Sequence, residues 1–115
     1  MVKEKDDIYY VGKILKDINY LIDKVHNLSL EEFSNNEMLC DSVLFRLIQI
    51  SENANKITEN FKIKHSQIPW KSIKGFRNRI VHKYGEVVMD IVYDTVKNDM
   101  IELKLIFDEY LKISV

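Results

Sequence analysis

Apolar residues recur at every third or fourth position along most of this chain, with few breakers between them. One proline and three glycines interrupt 115 residues. These two residue types break helices most strongly, so long helices are open to a sequence that nearly lacks them. Ile8, Val11, Leu15, Ile18, Ile22 and Val25 step by three, four, three, four and three. Such spacing draws one stripe along an α-helix and predicts a helix over about 5–27. Ser29 followed by Glu32 is a capping-box pattern and predicts a helix restart, whereas the polar stretch 34–37 carries no clear state.

A second stripe, Val43, Leu47, Ile50, Ala54, Ile57 and Phe61, predicts a helix over about 38–60. Leu44 and Ile48 widen its apolar face, which then asks for contacts on two sides, inside a bundle or across a dimer. Residues 61–66 lose the pattern and read as a connection. Pro69 suits a first helical turn, and Trp70, Ile73 and Phe76 predict a third helix over about 69–83, with Gly85 as its terminator. From Asp90 onward the pattern is helical but broken, and Asn98 and Asp99 mark a kink or a fresh cap. No stretch alternates cleanly as a strand would. The expected fold is all-α, an antiparallel bundle of four or five helices in a single domain over 1–115.

Composition narrows the function classes. Seventeen basic residues against eighteen acidic ones argue against a broad basic groove that coats a long nucleic acid, but leave room for one phosphate pocket. The single cysteine, Cys40, excludes an internal disulfide and fits a reducing compartment. No apolar run reaches the length of a membrane span, and the first residues lack the apolar core of a signal peptide, so no membrane association and a cytoplasmic location are expected. The three histidines and the cysteine show no zinc spacing, and no glycine-rich phosphate loop or redox motif is present. Neither a metal nor a cofactor is expected. His26 and His65 read as surface or loop residues, and Trp70 as a core anchor.

One segment is unusual. Arg77-Asn78-Arg79-Ile80-Val81-His82-Lys83-Tyr84 gathers basic and titratable groups near a helix end. Arg77 and His82 are five residues apart, about 7.5 Å of rise and about 140° of rotation on a regular helix. They do not stack on one face, yet a long arginine lets both reach one phosphate-sized object. An imidazole exchanges protons near neutral pH, and a guanidinium offers a planar fork to phosphate oxygens. Together they suit RNA cleavage without metal: a base removes the 2′-hydroxyl proton, and a cation stabilises charge on the phosphate. A basic helix end that merely complements the helix dipole would carry Arg79, His82 and Lys83 equally well.

The stretch Ile68-Pro69-Trp70-Lys71-Ser72-Ile73-Lys74-Gly75-Phe76-Arg77-Asn78-Arg79-Ile80-Val81-His82-Lys83-Tyr84 resembles the signature of the HepT-like branch of the HEPN superfamily, small all-helical ribonuclease toxins. The motif of arginine, asparagine, three variable residues, histidine, one variable residue and tyrosine falls on Arg77, Asn78, His82 and Tyr84. Weaker agreement lies at Asp7 and Tyr9, at Glu31-Glu32-Phe33, and at Ile50-Ser51-Glu52-Asn53-Ala54, where Ser51 replaces the usual glycine and Asn53 is an insertion.

The resemblance implies a HEPN-like bundle, an RNA substrate, and a homodimer whose two Arg77 and His82 pairs face one cleft. It implies Asn78 as a further site residue, Tyr84 as the target of adenylate transfer, and a small MNT-type nucleotidyltransferase as the partner antitoxin. Glu52, in an apolar-rich helix, reads either as a holder of a site arginine or as a residue that faces water, and Arg79 and Lys83 as weaker backbone-steering cations. The competing reading is a non-catalytic HEPN-like dimer that binds nucleotide or a partner without cutting.

Overall fold

The computed structural model describes residues 6–82 and 89–114. Among them, seven α-helices and one π-helical segment follow in order: α1 Asp7–Val25, α2 Leu30–Ser34, α3 Glu37–Ala54, α4 Glu59–Lys64, α5 Trp70–His82, α6 Met89–Asp94, the π segment Thr95–Asp99, and α7 Met100–Ser114. The described residues contain no strand. The fold is an all-α bundle, with α2 and α4 as short additions to the longer helices.

Helices α1 to α4 each start where a side chain takes up an orphan backbone amide. Asp6 accepts from the Tyr9 amide at 3.0 Å and caps α1. Ser29 and Glu32 form the reciprocal capping box that begins α2, with bonds of 3.0 and 3.1 Å. Hydrogen bonding from the Ser29 backbone amide first, and then from its side chain, holds the Glu32 carboxyl below its ordinary pKa. In the polar stretch that had no clear state, Asn36 caps α3 through the Leu39 amide.

The expected helix over 38–60 is two helices. α3 ends at Ala54, and after a short turn Thr58 adopts an extended backbone and accepts from the Phe61 amide to start α4. A cap and a tertiary anchor decide this break. The Thr58 amide and hydroxyl both donate to the Asp7 carboxylate, at 2.9 and 2.6 Å, which ties the turn to the start of α1. Ile57 and Phe61 stay buried on either side, so the apolar stripe survives the break that it conceals. Residues 61–66 are therefore largely helix α4 rather than a connection.

α1 lies antiparallel to α3, with Tyr20 beside Ser42, Asp17 beside Arg46 and Asp7 beside Thr58. It also lies antiparallel to the C-terminal helices: Tyr93 bonds the Leu28 carbonyl and Lys97 the His26 carbonyl. Val11, Ile14, Ile18, Leu21 and Val25 of α1 meet Val43, Leu44, Leu47 and Ile50 of α3 and Val96, Met100 and Phe107 in one core. α3 packs against α1 on one side and α5 on the other. Its wide apolar face is thus used within the chain. Met38 and Phe45 remain outside, 85% and 57% exposed.

The C-terminal pattern is neither a simple kink nor a fresh cap. The π segment joins α6 to α7 without a side-chain cap. Thr95 bonds back to the Ile91 carbonyl at 2.8 Å, and Asn98 bonds back to Asp94. Such backward bonds keep the chain helical through a wider turn. Trp70 is half-buried within an aromatic cluster with Phe61, Phe107, Tyr110 and His65, and its indole N–H donates to the His65 carbonyl at 3.1 Å. His65 is half-buried against the Phe61 ring, 4.1 Å between centroids, rather than a free surface side chain. No helix of the described residues is long and apolar enough to cross a membrane.

Candidate functional site

α5 owes its position to Ile73 and Ile80, both buried, seven residues apart and therefore on nearly the same side of the helix. Its first turn is set by Pro69, whose carbonyl accepts from the Ile73 amide. α3 approaches α5 closely at Ser51. That side chain is 0% exposed, and its hydroxyl donates to the Lys74 carbonyl across the helix interface at 3.3 Å. A serine at this buried contact keeps the close approach because its one polar atom finds a partner.

One residue further along α3, Glu52 meets α5. Arg77 Nε donates to Glu52 Oε1 at 2.9 Å. Both side chains are half-exposed, 42% for Arg77 and 45% for Glu52, so the pair sits at the solvent margin of the α3–α5 seam. Among the described residues this is the only ion pair that Arg77 makes. A guanidinium carries five N–H donors, and a bond through Nε leaves those on its two Nη atoms for another anion.

The remaining motif positions divide by place. Asn78 is exposed on α5, directly after Arg77. Arg79 lies on the same helix and His82 is its last residue; their side chains fall outside the described residues. Lys83, Tyr84 and the expected terminator Gly85 lie outside the described residues altogether. The structure thus brings together Arg77 and Glu52, twenty-five residues apart in sequence. Among the described residues no three His, Cys, Asp or Glu side chains group as metal ligands do. Cys40 is buried, and its thiol donates to the Phe33 carbonyl at 3.2 Å. Burial first, then Asp41 and Glu37, push that thiol's pKa up and away from nucleophilic use.

The segment that holds these residues is also the one shared with known proteins. Residues 14–110 match the family model described as "Ribonuclease HepT-like". The chain belongs to the HepT-like ribonuclease family. Among its relatives, a protein named "Putative RNase" from Caldanaerobacter subterraneus subsp. tengcongensis is 32% identical over 95 residues, covering 83% of this chain and 85% of that one. A second of that name, from Methanocaldococcus jannaschii, is 29% identical over 103 residues, covering 90% of this chain and 94% of the relative. The protein named "Probable ribonuclease HepT" from Thermococcus cleftensis is 30% identical over 108 residues, again covering 90% and 94%. No solved structure matches the chain. The HepT-like match contains α3 and α5 whole, and with them Glu52, Arg77, Asn78 and His82.

The sequence reading missed Ser51 as a contact between α3 and α5, having marked it only as a departure from glycine. Its burial was hidden because a serine inside a helical stripe looks like a solvated position. The signal that would have found it is its place directly after buried Ile50 and three residues before buried Ala54.

Proposed function

We propose that this HepT-like chain is a metal-independent endoribonuclease toxin that cuts RNA at a site built from Arg77 and His82. The observation that carries the reading is the Glu52–Arg77 bond, because it fixes a guanidinium at the surface through Nε, with no second ion pair on its Nη donors among the described residues. Arg77 would hold the scissile phosphate through two Nη–H donors and take up charge as it develops on the non-bridging oxygens. His82, as neutral imidazole, would remove the 2′-hydroxyl proton. The 2′-oxygen would then form a bond to phosphorus as the bond to the 5′-oxygen breaks, giving a 2′,3′-cyclic phosphate. The departing 5′-oxygen takes a proton from a second acid, for which the His82 of another copy is available in a dimer. Asn78, exposed beside Arg77, would bind a phosphate oxygen or orient the imidazole, with Arg79 and Lys83 steering the backbone.

A homodimer is part of this proposal. The wide α3 face that first suggested an interface is occupied inside the chain, which leaves Met38 and Phe45. These residues and Glu52 are spaced by seven along α3 and share nearly one azimuth. A second copy seated on this stripe would lie beside Arg77. The partner we propose is a small MNT-type nucleotidyltransferase antitoxin acting on Tyr84. Attack of the Tyr84 phenol oxygen on the α-phosphorus of ATP would release pyrophosphate and a proton and leave adenylate on the tyrosine. Its negative charge would engage the cations meant for RNA.

The test is RNA cleavage in excess chelator by the full chain, by Arg77→Ala and by His82→Ala. The proposal expects the parent to cut and each variant to lose at least about a hundredfold. Equal cutting by all three would overturn the site, and cutting that needs a divalent ion would overturn the mechanism.

A further inference from the structure

Away from Arg77, a second concave feature opens between the start of α5 and the junction of the π segment with α7. It is a cleft of about 90 Å³, with room for a single aliphatic side chain and too little for a nucleobase with its sugar. Ile73 and Phe76 of α5 and Met100, Leu103 and Ile106 of α7 form its apolar walls. Asp99 and Glu102 stand at its mouth, with Ser72 and Gln67.

The mouth is acidic, and its two carboxylates carry no ion pair among the described residues. Burial first, then the charges of Asp94 and Glu102, push the Asp99 carboxyl up from its ordinary value. The helix is also irregular here, since Asp99 is the last residue of the π segment, and such insertions into helices recur at functional sites.

Apolar walls under two carboxylates call for a ligand with an aliphatic group beside a cation. Phosphate-bearing ligands meet like charge, so RNA and nucleotides are the wrong class for this cleft. We propose that the α5–α7 cleft docks a segment of a partner protein that inserts one aliphatic side chain between Ile73 and Leu103 and sets a lysine or arginine against Asp99 and Glu102. Phe76 forms one wall and Arg77 follows it about 100° round the same helix, so the partner binds the element that carries the arginine without covering it. The proposal goes beyond the nuclease reading and does not depend on it.

The experiment is a titration of the isotope-labelled full chain, followed by NMR, with three short helical peptides: one with a leucine stripe and lysines, one with the lysines replaced by glutamates, and one with the leucines replaced by serines. The expected result is saturable binding of the leucine–lysine peptide alone, with amide shifts at 67–76 and 99–106. Asp99→Asn with Glu102→Gln should weaken it by roughly tenfold or more. Ser72→Arg, at an exposed position of the mouth, supplies a competing cation from the chain itself and should weaken it likewise. Both variants alter exposed positions, and their amide spectra report whether the fold is kept. Equal binding of the glutamate peptide, shifts elsewhere on the bundle, indifference to both variants, or no binding of any peptide would each overturn the proposal.

Discussion

At the scale of single residues, the question is what one half-exposed ion pair is for. Surface pairs contribute about 0–1 kcal/mol to stability, so the Glu52–Arg77 bond is a weak reason for the fold to stand. Its consequence is geometric: a long flexible side chain is confined to one orientation at the α3–α5 seam. Glu52→Ala should therefore change thermal stability little, while RNA cleavage falls by on the order of tenfold to a hundredfold, as misplacement of a phosphate-holding group does. Glu52→Gln, which can still accept from Nε, should recover part of that loss. Parallel melting curves and cleavage rates decide the matter; loss of stability and activity in step would mean that the pair is structural. The acid was recognisable in the sequence because it interrupts an apolar helix, and pairing with a site arginine was one of its two readings; nothing in spacing says how positions 52 and 77 meet.

At the scale of elements, the α1–α3 seam holds a second ion pair of a different kind. Arg46 donates to Asp17 at 2.8 Å, its guanidinium lies 4.0 Å from the centre of the Tyr20 ring, and Tyr20 shares a 2.7 Å hydrogen bond with Ser42. Asp17 is buried. Removing one partner strands a desolvated charge, so Arg46→Met should destabilise the chain by about 3 kcal/mol. Asp17→Leu added to Arg46→Met should regain much of that, because no charge is left unpaired. Denaturant unfolding of the single and double variants measures both. A single variant as stable as the parent would contradict this account of the seam.

The π segment yields a pH prediction. The Asp99 carboxyl has a folded pKa above its unfolded one, so its contribution to stability is fully present below the unfolded value and is lost as pH rises through the folded value. Asp99→Asn should therefore melt higher than the parent near neutral pH, and the gap should close on acidification. A melting difference that is flat with pH would refute the upward shift of the Asp99 carboxyl by burial and by its acidic neighbours. Periodicity revealed the long helices but not their interruptions. Thr58 breaks the second stripe through a tertiary bond to Asp7, and Thr95 widens a turn by a bond to its own helix. Neither depends on an apolar residue, so a search for apolar steps runs straight through both.

At the scale of the whole molecule, the bundle follows from the four-and-three stripes. Which stripe faces which does not. The apolar width of α3 allowed a bundle core or a dimer face, and the packing of α1 and α5 assigns nearly all of it to the core. Met38 and Phe45 are what remains for a second copy. Phe45→Glu changes an exposed ring and should leave the fold intact while shifting a dimer towards monomer in light scattering. A dimer of unchanged stability would move the interface elsewhere. The proposed site motif was legible as residue types in order, and the fold adds the geometry by which Glu52 of α3 holds Arg77 of α5.

In the proposed reaction Arg77 and His82 direct a 2′-hydroxyl at its neighbouring phosphate, and the chemistry of the cut ends reads this directly. RNA treated with the purified chain in chelator should yield fragments that end in a 2′,3′-cyclic phosphate, and the same strand with a 2′-deoxy residue at the cleavage position should stay whole there. Fragments bearing 5′-phosphate and 3′-hydroxyl ends, or cutting at the deoxy position, would contradict it.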